Sequence, residues 1–209
     1  MLGASGTGKS TAAQQIARAV GATWLQVDDL RLALQFSRVA LPQGTDQLYF
    51  FDTTPDIWTR PVDELLRAFI GVTTVMAPAV RVVIDSHLVT GVPIVIEGDG
   101  VLPLLVDDPV LRPWVESGML RFCCLAAESR AELAENMVQR GRGDHLHDRE
   151  RVALQVNTNL AFNNWLVRSS RELRIPVVAS RPFDTLIDRI EEAITVDSHP
   201  AGRRDLPGT

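Results

Sequence analysis

The stretch GASGTGKS, residues 3–10, constrains this chain more than any other feature of its sequence. Two of its glycines, Gly3 and Gly8, flank a four-residue spacer, and Lys9 and Ser10 follow, which is the spacing of a phosphate-binding loop. Glycines let the backbone turn sharply and come close to a ligand. The N–H groups of such a loop point inward, and a helix that follows at once adds the positive end of its dipole. The pattern therefore predicts a site for the terminal phosphates of a nucleotide.

Two side chains of this loop have expected roles. Lys9 can reach the β- and γ-phosphate oxygens, and Ser10 can place its hydroxyl on a Mg²⁺ ion. A chance match in a turn rich in glycine and serine is the alternative, but Thr11 continues the motif and an amphipathic helix follows. The predicted nucleotide-binding residues are Gly3, Ser5, Gly6, Thr7, Gly8, Lys9, Ser10 and Thr11.

Short apolar runs alternate with helical patterns along the rest of the chain, which predicts an α/β fold. Predicted strands cover 22–29, 93–97, 120–127 and 175–180, and predicted helices cover 9–20, 29–38, 109–118, 129–140, 148–172 and 183–194. Strands separated by helices favour a parallel sheet with helices on both faces. We expect one domain over residues 1–194 and a loose tail at 195–209.

Two regions between these elements are harder to interpret. Residues 58–90 have helical spacing, and we predict two helices that break near Pro78. Residues 37–57 are rich in turn formers, and we predict a loop with exposed aromatic side chains.

The first strand is the anomaly of this pattern. A phosphate-binding loop normally leaves the carboxyl end of a buried strand, yet only Met1 and Leu2 precede Gly3. We expect that several apolar residues upstream complete the strand. Otherwise, the sheet must tolerate a gap or a very short middle strand.

Composition narrows the class of protein. The net charge of −5 lowers the expectation of a nucleic-acid partner, and the 45% hydrophobic and 22% charged fractions are typical of a soluble globular protein. We expect no membrane span, because charged residues and Pro78 interrupt the longest apolar stretch. Cys123 and Cys124 are adjacent on a predicted strand, so we interpret them as buried thiols on opposite faces. A cytoplasmic location follows from these expectations.

Acidic residues close two of the predicted strands. Asp28 and Asp29 close 22–29, and Glu97 closes 93–97. Because ligands of open α/β sheets lie beyond the carboxyl ends of the strands, we expect all three at the site. Asp28 is expected to face an acceptor hydroxyl and take its proton, with Asp29 close behind. The alternative is that one of the pair caps a helix that begins at Leu30.

Other polar residues complete the predicted site. Glu97 is expected to hold Mg²⁺ through water or to contact the acceptor. Its rival is Asp85 in RVVID, but the helical spacing of the neighbouring apolar residues places Asp85 on the polar side of a helix. Arg31 lies one turn after Asp28 and could clamp an acidic group of the acceptor.

The segment RGRGDHLHDRER carries several arginines between two predicted helices. Arg140 and Arg142 could belong to a mobile lid, at about 140–148, that closes over a triphosphate. A solvated run of charges is the alternative. Farther along, Asn159 and Asn163 share a helical face, and we interpret them as the polar side of a packed helix.

With these motifs in place, the chain resembles the small-molecule kinases of the P-loop superfamily, and most closely 2-phosphoglycerate kinase and related ATP-binding proteins. The likeness rests on GASGTGKST, DDLR, IVIEGDGVLP and the late strand VVAS. It implies a P-loop NTPase three-layer α/β/α sandwich with a mostly parallel five-stranded sheet, whose first strand is truncated here. It also implies ATP, Mg²⁺ and transfer to a small phosphorylated or carboxylated alcohol.

The resemblance assigns roles to particular residues. Lys9 and Ser10 would serve ATP and Mg²⁺, and Asp28 would face the acceptor hydroxyl. Arg140 and Arg142 would belong to the lid, while the loop with Arg181 and Pro182 would lie against adenine.

Two other functions share the same loop. One is a nucleotide-dependent switch or ATPase that binds a partner protein through the aromatic residues Tyr49 to Phe51. The other is a zeta-toxin-like kinase that acts on a nucleotide sugar. Our first expectation remains a kinase with a small-molecule substrate and neither a nucleic-acid nor a membrane partner.

Overall fold

A computed structural model of the chain describes residues 1–37, 39–139 and 149–196. The predicted lid arginines Arg140 and Arg142 lie outside the described residues, as does the tail from residue 197.

Strands and helices alternate in the described chain, as predicted. The strands are β1 (Leu2–Gly3), β2 (Thr23–Gln26), β3 (Ile94–Glu97), β4 (Cys124–Ala126) and β5 (Val177–Ala179). The helices are α1 (Lys9–Val20), α2 (Val27–Phe36), α3 (Phe50–Thr53), α4 (Val62–Thr90), α5 (Arg112–Glu116), α6 (Arg130–Gln139), α7 (Arg149–Glu172) and α8 (Leu186–Val196). Each strand pairing in the described residues is parallel, which confirms the α/β class.

The parallel strands form two small sheets. One has the order β1-β4-β5, and the other consists of β2 and β3. β1 is only two residues long, and Met1 connects the two sheets: its amino group donates to Ile96 O at 2.8 Å, and its carbonyl accepts from Gly98 N at 3.4 Å. No strand pairing joins the two sheets in the described part of the chain.

Apolar side chains pack on both faces of these strands. On one face, Met76 and Val80 of α4 join Phe162 and Leu166 of α7 in a large cluster. On the other face, a smaller cluster joins α1, α8 and the outer side of β4. Cys124 belongs to the first cluster and Cys123 to the second, so the two thiols are buried on opposite faces, as predicted.

The prediction of two helices in residues 58–90 is wrong. α4 is one 29-residue helix with Pro78 inside it. Proline removes a helical hydrogen bond, but buried residues on both sides of Pro78, Val72 and Met76 before it and Val80 and Ile84 after it, pack into the same core. Tertiary packing therefore outweighs the local penalty.

The expectation of no apolar segment long enough to span a membrane is also wrong. By length and composition alone, α4 meets the requirement, and about a third (33%) of its most apolar window is buried. This is weak evidence for a span, since a core helix of a soluble protein passes the same test. The buried stripe of α4 fits the second interpretation.

The strand predicted at 22–29 ends early. β2 stops at Gln26, and α2 begins at Val27, so Asp28 and Asp29 lie in the first turn of a helix. Val27 is buried against Gly98 and Gly100, where a Cβ would come within 3 Å of the valine side chain. The alternative that an aspartate caps this helix is wrong too, because Gln26 is the N-cap and no side chain caps it.

The prediction of a loop with exposed aromatic side chains over residues 37–57 is wrong for the part from residue 46 onward. They contain a 3₁₀ turn at Asp46–Tyr49 and the short helix α3, and another 3₁₀ turn follows at Ile57–Thr59. Tyr49, Phe50 and Phe51 are partly buried against the large core, and the Phe51 ring lies 4.6 Å from that of Phe69.

Candidate functional site

The predicted phosphate-binding loop connects β1 to α1. Its three glycines have positive φ values: Gly3 at 153°, Gly6 at 91° and Gly8 at 81°. A Cβ on Gly3 would lie 2.5 Å from the carbonyl oxygen of Leu125 in β4, so a side chain does not fit there. Gly8 is the N-cap of α1. Since no side chain caps this helix, its first N–H groups remain directed at the loop.

Hydrogen bonds hold the loop in place, some from its own residues and one from a neighbouring helix. The carbonyl of Ala4 accepts from the Thr7 hydroxyl at 3.0 Å and from Lys9 Nζ at 2.8 Å. From α6, Asn136 Nδ2 donates to the carbonyl of Gly6 at 2.7 Å. These contacts give the carbonyl groups of Ala4 and Gly6 hydrogen-bond partners within the protein.

Lys9 is 5% exposed and needs a partner for its charge. Its ammonium forms an ion pair with Asp99 at 2.7 Å. An anion that enters the loop would compete with Asp99 for this ammonium. Asp99 is therefore a residue of the site to which the sequence analysis assigned no role.

A polar recess of about 20 Å³ lies beside Lys9. It has room for about one water molecule or one small ion. Eight residues line it: Ser5, Lys9, Ser10, Gln26, Asp28, Glu97, Gly98 and Asp99. The structure thus brings together five of the predicted site residues, Ser5, Lys9, Ser10, Asp28 and Glu97, from three separate parts of the chain.

Glu97 ends β3, as predicted, and its rival Asp85 lies within α4. The Glu97 side chain is buried, and among the described residues its Oε1 atom has no hydrogen-bond partner. Burial raises the pKa of this carboxyl above its ordinary value, while the Lys9 charge and the Ser10 hydroxyl act in the opposite direction. A buried carboxylate oxygen with a free lone pair next to a hydroxyl is suited to a hard cation.

Asp28 lines the recess, and its carboxylate lies 3.6 Å from Arg31 Nε. The guanidinium of Arg31 also donates to Gln35 at 2.9 Å. Gln35 in turn donates to the carboxylate of Asp52, so this row of side chains connects the recess to α3. Asp29, by contrast, is exposed and does not line the recess.

The segment after β5 lies on the other side of the loop. Arg181 donates to Asn136 at 3.0 Å, and Asn136 holds Gly6. The Arg181 guanidinium lies 4.5 Å from the centre of the Phe183 ring, and this ring borders Gly8. Pro182 and Phe183 are exposed. The segment predicted to contact the base is thus adjacent to the loop. Phe183, which contacts the loop at Gly8, was not singled out from the sequence.

Two further polar residues support the strand ends. The Asn163 side chain is buried and bonds both the N–H and the carbonyl of Ala127, at 2.9 and 3.1 Å, so it packs inward and does not lie on an outer polar side of α7 as predicted. Glu132 accepts from the Ser180 hydroxyl and from the N–H of Glu128. Neither residue reaches the recess.

In the described ranges, no group of three or more His, Cys, Asp or Glu side chains is placed to hold a metal ion. A scan of the chain against protein-family models finds no match, and a search of curated proteins finds none either. The chemistry of the site is therefore inferred from the residues around Lys9 alone.

Proposed function

We propose that this chain is a cytoplasmic P-loop kinase that transfers the γ-phosphate of ATP to the hydroxyl of a small, acidic or phosphorylated metabolite. The observation that carries this proposal is the convergence of Lys9, Ser10, Asp28 and Glu97 on one recess at the end of a glycine loop. Parallel strands with helices on both faces support the assignment to a three-layer P-loop sandwich.

Each residue of the recess has a chemical task in this proposal. Lys9 exchanges Asp99 for oxygens of the β- and γ-phosphates, and the N–H groups of the loop hold the same phosphates. Ser10 and the oxygen of Glu97 without a partner in the described residues would hold Mg²⁺, a cation that usually takes one or two protein oxygens beside those of phosphate. This ion would supply positive charge that offsets the charge of the transferred phosphoryl group.

Asp28 faces the recess and would orient the acceptor hydroxyl and take its proton. Arg31, held by Asp28 and Gln35, supplies a guanidinium next to that position, which favours an acceptor with a carboxylate or phosphate group. On the far side of the loop, Arg181 and the Phe183 ring offer flat surfaces for the base.

The structure reduces the support for a nucleotide switch that binds a protein through its aromatic segment. Tyr49, Phe50 and Phe51 pack against the core, so they do not form a free apolar surface. A nucleotide-sugar kinase differs from our proposal only in the acceptor. An assay that compares acceptors therefore distinguishes the two.

The test is an acceptor panel with a matched pair of variants. Purified protein with ATP and Mg²⁺ is given hydroxy acids, 2-phosphoglycerate and nucleotide sugars, and ADP release is measured. We expect one class of acidic acceptor to stimulate ADP release. Asp28→Asn should then lower turnover about 10²–10⁴-fold without a change in ATP affinity, because it removes only the proton acceptor.

Asp29→Asn is the control, since Asp29 is adjacent in sequence but does not line the recess. It should retain turnover within about twofold of the unchanged protein. Equal losses in both variants, or ADP release that no acceptor stimulates, would contradict the proposal.

A further inference from the structure

Asp99 is the counter-ion of Lys9 in a recess that is otherwise rich in carboxyl groups. Its carboxylate lies 2.7 Å from Lys9 Nζ, whose second partner is the carbonyl of Ala4 at 2.8 Å. Among the described residues that line the recess, Lys9 carries the only positive charge, while Asp28, Glu97 and Asp99 carry carboxyl groups. The lining therefore has more acidic than basic groups before any phosphate enters.

The backbone of Asp99 is fixed beside the loop by the glycines on either side of it. A Cβ on Gly98 would lie 2.9 Å from Val27 Cβ, and a Cβ on Gly100 would lie 2.6 Å from Val27 Cγ1. Val27 is itself buried in the large core. Because both glycines pack so closely on a core residue, the charge of Asp99 stays near Lys9 even when its side chain changes rotamer.

An anion that binds Lys9 must first separate this ion pair. Asp99 then loses its counter-ion while it remains close to the anion, and like charges repel strongly where solvent is partly excluded. The side chain of Asp99 is 21% exposed, so water screens only part of this repulsion. The buried side chain of Glu97, whose Oε1 has no partner among the described residues, adds a second carboxyl group at the same position. Phosphate that arrives without a cation is therefore bound weakly.

The balance of charge is different when the same phosphates enter together with a divalent cation. A divalent charge offsets that of the phosphates and that of the carboxylate which Lys9 has left. The Ser10 hydroxyl and the unpartnered oxygen of Glu97 belong to the residues that line the recess, where such a cation would be held. The transfer of Lys9 from Asp99 to phosphate then leaves no carboxylate without a compensating charge.

We propose that Asp99 is a specificity-determining residue, which makes the loop select phosphates bound to a divalent cation over the same phosphates without one. Asp99 acts as an internal anion: it holds Lys9 while the loop is empty, and it repels phosphate that brings no compensating charge. Metal-free nucleotide and metal-free polyphosphate are the ligands that it excludes. This inference rests on the proposed nucleotide site and adds to it a selection between two forms of the ligand, which the glycine motif does not encode.

The test measures the binding of ATP and of tripolyphosphate by isothermal titration calorimetry, each in excess Mg²⁺ and in EDTA. For each ligand, the magnesium factor is the Kd in EDTA divided by the Kd in Mg²⁺. Asp99→Asn removes the charge but keeps an oxygen that can accept from Lys9 Nζ, so the buried ammonium retains a partner. Asp99→Glu keeps the charge. Asp29→Asn is the control, because it removes one charge from an exposed position outside the recess.

We expect Asp99→Asn to bind both metal-free ligands at least about tenfold more tightly than the unchanged chain does, because the repelling charge is gone. Its affinity for the magnesium complexes should change less, since the variant also lacks a carboxylate that the cation would compensate. The magnesium factor of Asp99→Asn should fall accordingly. Asp99→Glu and Asp29→Asn should keep magnesium factors within about threefold of that of the unchanged chain, because the first retains the charge and the second removes a charge that solvent and salt screen.

An Asp99→Asn variant with the magnesium factor of the unchanged chain would overturn the role of Asp99, and so would an Asp99→Glu variant whose factor falls as far as that of Asp99→Asn. Folded protein that binds neither ligand in either form would instead contradict the nucleotide site itself. If thermal denaturation shows that Asp99→Asn does not fold, Asp99→Ser replaces it under the same criteria. The unchanged chain gives a second measurement, because equal affinities for tripolyphosphate in Mg²⁺ and in EDTA would also overturn the proposal.

Discussion

At the scale of single residues, the site combines groups that are unfavourable to bury. Lys9 is compensated by Asp99 at 2.7 Å, whereas Glu97 has an oxygen without a partner in the described part of the chain. Buried polar groups of this kind lower stability and are typical of positions kept for function. A substitution of Glu97 should therefore impair function while it raises stability.

Glu97→Gln should raise the melting temperature at pH 7 in magnesium-free buffer, by about 2–4 °C for each ~1 kcal/mol gained, because an amide carries no charge to desolvate. Burial raises the pKa of Glu97 in the folded state above its ordinary value of 4.5. The folded protein then binds the proton more tightly than the unfolded chain does. The contribution of Glu97 to stability is fully present below pH 4.5 and is lost as the pH rises through the folded pKa.

The gain from Glu97→Gln should accordingly shrink as the pH is lowered from 7 toward 4.5. Thermal denaturation as a function of pH measures this, and Glu116→Gln, at an exposed position of α5, is the control with no expected gain. A gain that stays constant with pH, or a loss of stability at pH 7, would contradict this account of Glu97.

At the scale of elements, the junction of β1 with the loop is held by close backbone packing. Gly3 combines a positive φ with a Cβ position 2.5 Å from Leu125 O, whereas Gly21, which ends α1 at a φ of 65°, has no atom within 4 Å of its Cβ position. A substitution at Gly21 therefore measures the free-energy cost of the left-handed conformation alone. A substitution at Gly3 measures that cost together with the cost of a steric clash.

Gly21→Ala should lower the free energy of unfolding by about 1–2 kcal/mol, the cost of a left-handed residue with a side chain. Gly3→Ala should lower it by about 3 kcal/mol or more, since β1 must also move away from β4. Chemical denaturation of both variants gives the comparison. Equal losses of unfolding free energy would show that the close approach of β1 to β4 does not exclude a side chain at position 3.

The elements also show how far the sequence alone leads. Helices with an apolar stripe, such as α1 and α8, and the short apolar strand β3 were predicted nearly at their observed positions. The continuity of α4 through Pro78 was not, because it depends on packing against distant α7 rather than on local preference. The short turns around Tyr49 have no periodic pattern, and Val27 reads as part of a strand although it begins α2.

At the scale of the whole molecule, the site is assembled from distant parts of the chain. The motif singled out Lys9 and Ser10, strand-end reasoning singled out Asp28 and Glu97, and all four side chains line the same recess. Asp29, which the same reasoning expected close behind Asp28, does not line the recess, because a helical turn at that position directs consecutive side chains apart. Asn136, which bonds both Gly6 and Arg181, gives no sequence signal, since its role arises only when α6 packs beside the loop.

The central claim is that the loop around Lys9 binds the phosphates of a nucleotide. Isothermal titration calorimetry of the folded protein with Mg²⁺-ATP tests it directly, with Lys9→Ala beside Arg18→Ala, a variant in the last turn of the same helix. The account predicts one bound nucleotide per chain, an affinity at least about 100-fold weaker in Lys9→Ala, and no change in Arg18→Ala. Folded protein that takes up no nucleotide, or Lys9→Ala that binds it as tightly as the unchanged chain, would contradict the claim.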